Sequence, residues 1–93
     1  MVETRIATRH RVKKPAIIEH GWHGRDQHPC TVRDISSTGA ALEFADPVVL
    51  HQLPEKITLV IPEDELRVSC RVVWQRNYRL GVAFDVAISL GSP

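Results

Sequence analysis

The feature that most constrains this chain is a period of two. In "ELRVSCRVVWQ", Leu66, Val68, Cys70, Val72 and Trp74 alternate with Arg67, Ser69, Arg71, Val73 and Gln75. Successive side chains of a strand point to opposite faces, so this spacing describes a half-buried strand with one wet face. The same alternation recurs in "GAALEFA" (Ala40, Leu42, Phe44), "KITLVIP" (Ile57, Leu59, Ile61) and "YRLGVAFD" (Leu80, Val82, Phe84). "KPAIIEHGW" and "HPCTVRDI" are shorter, noisier candidates. Turn-rich stretches separate them: "HGWHGRDQHP", "DISSTG", "ADPVVLHQLPE", "PEDE" and "QRNYR". Six short strands joined by short turns argue for an antiparallel barrel or sandwich with no long helix. Only Asp46–Leu53 has room for a turn of helix. The inward period places Leu42, Phe44, Ile57, Leu59, Val68, Cys70, Val72, Trp74, Leu80, Val82 and Phe84 in the core.

With 93 residues the chain makes one small domain. Its net charge of +1 conceals an asymmetry. Residues 1–14 carry Arg5, Arg9, Arg11, Lys13 and Lys14 against Glu3, a net of +4, and the remainder carries −3. The reading is therefore a basic arm over 1–14, a barrel over 15–86 and a short tail over 87–93. Residues 1–10 have no periodic apolar face, so their ordering entropy has little to offset it, and they are expected to order on binding a ligand. A basic arm calls for an anionic partner. The start has no secretory pattern and no apolar run spans a membrane, so a cytoplasmic setting is expected, with Cys30 and Cys70 as reduced core residues.

Catalysis has little support. Ser36, Ser37 and Ser69 lack a Gly-x-Ser-x-Gly elbow, and no phosphate-binding Gly-rich loop is present. Glu63-Asp64-Glu65 reads as a solvated hairpin tip. His20, His23, His28 and Cys30 include metal-ligand types, but their spacing matches no common finger, so no metal is expected. A single-stranded nucleic-acid barrel would need outward aromatics. With Phe44, Trp74 and Phe84 on the inward period, only Trp22 and Tyr78 remain, too few for a stacking platform.

"DISSTG" is longer than a hairpin needs. Asp34 and Ser36 can bond the backbone two residues on, and Gly39 can take a positive φ or admit a close backbone approach. Upstream, Arg5 and Arg9 stand four residues apart. Guanidinium forks match phosphates and the O6/N7 edge of guanine, and an Asp carboxylate accepts from guanine N1–H and N2–H₂. Arg5-IAT-Arg9 followed by Asp34-I-Ser36-ST-Gly39 resembles the PilZ domain family, whose pattern is Arg-x-x-x-Arg and then Asp/Asn-x-Ser-x-x-Gly. "CTVRDISSTGAALEF", "KITLVIP", "CRVVWQ" and "LGVAFD" resemble its successive strands, so the likeness covers roughly residues 5–85. It implies an all-β, six- to seven-stranded antiparallel barrel that is a cyclic di-GMP receptor and not an enzyme, with no cofactor besides that ligand. It further implies that Arg5 and Arg9 clamp phosphates and guanine edges, that Asp34 and Ser36 contact a guanine, and that Gly39 lets the loop turn beneath it. A downstream protein is the implied second partner, and membrane and nucleic acid are not. The chain departs from many members in having Thr4 where a second Arg precedes Arg5. The alternatives are a PilZ-like adaptor that binds protein and no nucleotide, or a barrel that binds single-stranded nucleic acid.

Overall fold

The computed structural model describes residues 8–89, so Arg5 and the rest of residues 1–7 lie outside the described residues, as do 90–93. The alternating segments form six strands: β1 (His10–His20), β2 (Asp26–Ile35), β3 (Gly39–Glu43), β4 (Lys56–Ile61), β5 (Leu66–Arg76) and β6 (Arg79–Phe84). They close in the order β1-β2-β3-β6-β5-β4, every pairing antiparallel, with β4 returning to β1 through Ile17–Glu19 opposite Thr58–Val60. Closure removes the exposed strand edge that would otherwise invite aggregation. The all-β barrel without a long helix thus stands as the sequence reads it.

One helical turn interrupts the sheet. Asp46 caps it by accepting from the Val48 N–H at 3.0 Å, and Pro47 opens it, giving α1 (Pro47–Leu50). Its Leu50 is buried among the core residues, with Val49 and Leu53 packed against them. The α1 segment follows the end of β3 and precedes β4, so it lies at the end of the barrel opposite the 36–38 loop.

The interior is filled by the inward period. Ile18, Val32, Leu42, Leu59, Ile61, Cys70 and Leu80 are fully buried. Each aliphatic among them contributes roughly 1.5–3 kcal/mol by leaving water. The two cysteines are free thiols facing this core, and burial pushes each up to about 12. Among the described residues no helix is long and apolar enough to cross a membrane.

Two expectations need correction. The strand β1 begins at His10, with Arg11 opposite Asp34 and Lys14 opposite Val32, so residues 10–14 are barrel wall rather than arm. In β5 the inward period fails after Cys70: Val72 is only half-buried and Trp74 is 44% exposed. The cause is a bulge. Val72 faces Val82 and Trp74 faces Gly81, so Val73 is an extra residue without a partner on β6. An inserted residue turns everything after it to the other face.

Candidate functional site

A second bulge mirrors the first. On β2, Val32 faces Leu42 and Asp34 faces Ala41, leaving Arg33 unpaired with β3. Val32 is buried in the core, and regular alternation would carry Asp34 inward with it. The bulge sends the carboxylate outward, avoiding the desolvation that a buried, unpaired charge would suffer. Ile35 then resumes the inward phase.

The two bulges act on one row. Asp34 pairs with Ala41, Ala41 with Gly81, and Gly81 with Trp74, across β2, β3, β6 and β5. With neighbouring strands about 4.8 Å apart, the ends of this row are roughly 14 Å apart along the sheet. The middle positions are the smallest residues, and both are buried beneath their neighbours. A Cβ on Gly81 would run into the Trp74 indole, which lies over that glycine. A strip of minimal side chains is thus bounded by a carboxylate on one side and covered by an indole from the other. A glycine inside a strand marks such a close approach.

Arg9, just before β1, reaches this row. Its Nε and Nη2 both donate to Asp34 Oδ1, at 3.1 and 2.7 Å. The Arg9 side chain is 58% exposed, so the pair sits in water and holds loosely. Among the described residues Asp34 Oδ2 receives no hydrogen bond, leaving an acceptor available. Arg9 and Asp34 are therefore together, as the motif reading requires, and Arg5 lies outside the described residues.

Ser36 and Gly39 are placed differently from Asp34. The Ser36 hydroxyl is buried and accepts from the Thr38 and Gly39 N–H groups, each at 3.2 Å, while the Ser36 N–H donates to the Gly39 carbonyl at 2.8 Å. Its hydrogen bonds are spent inside the loop, which they hold in shape. Gly39 does not adopt a positive φ; it is needed because a Cβ there would meet the Val82 carbonyl oxygen. The loop is fastened further by Phe84 N–H donating to Thr38 O and Ile88 N–H donating to Ser37 O, both at 2.8 Å.

Beside the loop the barrel mouth opens into a pocket of about 330 Å³ walled by Val12, Ile35, Leu66 and Ile88. Lys14 and Asp64 close its rim at 2.8 Å. The hydrogen bond to Asp64 raises the Lys14 pKa above its ordinary value, so this lysine is charged at neutral pH.

Trp74 is the residue that the inward period misassigned. The one local irregularity is Val73, an apolar residue at a polar position of the alternation, which does not by itself announce a bulge. With Trp74 outward, the exposed aromatics are Trp22, Trp74 and Tyr78, and Trp22 sits on the separate β1–β2 hairpin. Trp74 and Tyr78 line one shallow pocket with Arg76 and Arg79, and Trp22 is not part of it. Among the described residues no three His, Cys, Asp or Glu side chains gather as in a three- or four-ligand metal centre.

A search of curated proteins found no match to this chain. A family model described as PilZ domain matches residues 4–92, nearly the whole length, and the chain belongs to the PilZ domain family.

Proposed function

We propose that this chain is a cyclic di-GMP receptor that passes ligand binding on to a partner protein. The PilZ family is known as a cyclic di-GMP-binding domain and not as a catalyst. The observation that carries the reading is the Arg9–Asp34 pair above the Ser36–Gly39 loop. A ligand phosphate competes with Asp34 for the Arg9 guanidinium. A charge-assisted hydrogen bond contributes about 1.5–3 kcal/mol, while the exposed ion pair it replaces contributes about 0–1 kcal/mol. Release of Arg9 frees the Asp34 carboxylate for the guanine N1–H and N2–H₂ donors. Arg5 supplies the second guanidinium, Ser36 and Gly39 keep the loop in register, and Trp74 offers an exposed indole to a purine face. The same exchange draws the segment before β1 toward the loop, which is the change a downstream protein reads. A cytoplasmic setting goes with this reading and is supported by two cysteines left as thiols.

Competition between cyclic di-GMP and cyclic di-AMP, followed by calorimetry, tests it. The phosphate ring is shared and the bases differ, so the carboxylate decides. The expected preference for the guanine ligand is roughly 10²–10³-fold, below the limit for a fully buried site because water reaches Asp34. Asp34→Asn should weaken cyclic di-GMP and narrow that gap. Arg9→Ala should abolish detectable binding of both without unfolding the barrel. Equal affinity for both ligands would leave Asp34 as a partner of Arg9 alone, and no binding of either would favour the adaptor.

A further inference from the structure

The β1–β2 hairpin carries two histidines that the ligand site does not use. His20 follows Ile18 on the inward phase of β1, and His28 precedes Cys30 on the inward phase of β2. They stand at the hairpin tip, where His20 pairs with Asp26, at the far end of β1 from the Arg11–Asp34 pairing. Their Nε2 atoms are 3.1 Å apart and their ring centroids 5.1 Å apart. The centroids are farther apart than the nitrogens by most of a ring width, so the rings meet through their Nε2 edges and not face to face. The 3.1 Å contact is a hydrogen bond in which one Nε2 carries the proton, and a bound cation would take that proton's place between the two nitrogens.

Asp26 lies on the outer side of this arrangement. Its Oδ2 lies 3.8 Å from His20 Nδ1, and the His20 side chain is only 13% exposed. The carboxylate stands on the Nδ1 side, beyond hydrogen-bond reach, and the Nε2 edge is the one turned to His28. Metal-bound histidines commonly have a carboxylate on that side, and a small approach of Asp26 would let it accept the Nδ1–H. The spacing also suits chelation. Two nitrogens each about 2.0–2.1 Å from a tetrahedral Zn²⁺ are about 3.3–3.4 Å apart, and at a right angle about 2.9 Å. The observed separation falls between these limits.

We infer that His20 and His28 form a two-histidine chelate for a borderline divalent cation, Zn²⁺ or Cu²⁺, with solvent completing the coordination. Imidazole suits both ions. The fold sorts the four residues that the sequence brought together. His23 is on the turn between the strands with its ring edge-on to Trp22, and Cys30 faces the core as a buried thiol, so neither joins the pair. Such a site would hold its ion by two protein ligands, unlike a closed structural zinc centre.

Titration of the full chain with zinc chloride, observed through the ¹⁵N shifts of the histidine rings, tests this inference. The chain has five histidines. One-to-one saturation should shift His20 and His28 together and leave His10, His23 and His51 in place. His28→Gln, and separately His20→Gln, should weaken zinc at least tenfold, and Asp26→Asn about tenfold through the lost outer carboxylate. Circular dichroism and unchanged buried-methyl shifts establish that each variant is folded, and a His23→Gln variant that binds as wild type supports the assignment. Shifts centred on His10, His23 or His51, retention of wild-type zinc affinity by a folded His28→Gln chain, or no saturable change at all would overturn it.

Discussion

The strands β4 and β5 pair residue for residue from Lys56–Arg71 to Ile61–Leu66, yet they end differently. In β4 the alternation holds throughout: Ile57, Leu59 and Ile61 are buried and the residues between them are not. In β5 it holds through Cys70 and then breaks at Val73, turning Trp74 onto the outer wall. The regular region builds the core. The bulged region spends regularity to place a carboxylate and an indole on one outer row. Bulges next to functional sites re-aim side chains in this way, and the difference assigns stability to one region and ligand contact to the other.

The regular region should show the largest effects, and they concern stability alone. Both thiols point into it. In the unfolded chain a thiol ionises from about pH 8.5–9, whereas in the barrel it stays protonated to about 12. The unfolded state therefore loses protons first, and stability falls as pH rises between about 9 and 12. The slope is at most on the order of 1.4 kcal/mol per thiol per pH unit. The Lys14–Asp64 pair acts in the same direction, since its raised pKa confers stability below the unfolded lysine value that is lost as pH rises through the folded one. Denaturant midpoints from pH 8 to 11 should decline, and decline less in a Cys30→Ala/Cys70→Ala chain. A flat profile would place the thiols in water.

Next in size is Leu59→Ala, which leaves a cavity at a fully buried position and should cost about 2–5 kcal/mol in chemical denaturation. Its ligand affinity, measured where the variant remains folded, should match wild type. Trp74→Ala should behave in the opposite way. An exposed side chain carries little of the core, so its stability cost should stay within about 1 kcal/mol. The loss of a stacking indole should weaken the ligand by about 1–3 kcal/mol. If the two variants changed the same quantity, the division between regions would fail.

Much of this was legible in the sequence because alternation is a local property. Leu42, Leu59 and Leu80 are read inward from their own neighbours and are inward in the barrel. Arg9 and Asp34 are legible as a motif, and they meet. Trp74 is not, because a bulge is a relation between two strands: Val73 is surplus only relative to Val82 and Gly81 on β6. Ser36 is half legible. Its type announces a turn, but whether its hydroxyl serves the loop or a ligand depends on which backbone N–H groups the fold brings to it. The His20–His28 approach depends on the β1–β2 register, which spacing along the chain does not express.

The chain has two tryptophans, and Trp22 stands on the other hairpin. In a Trp22→Phe chain, fluorescence reports Trp74 alone, at one end of the row whose other end is Asp34. Titration with cyclic di-GMP should produce a saturable change in Trp74 emission, absent in Trp22→Phe/Asp34→Ala at the same ligand concentrations. Saturable binding by calorimetry with unchanged Trp74 emission, unaffected by Asp34→Ala, would contradict the account and move the ligand off the row between the two bulges.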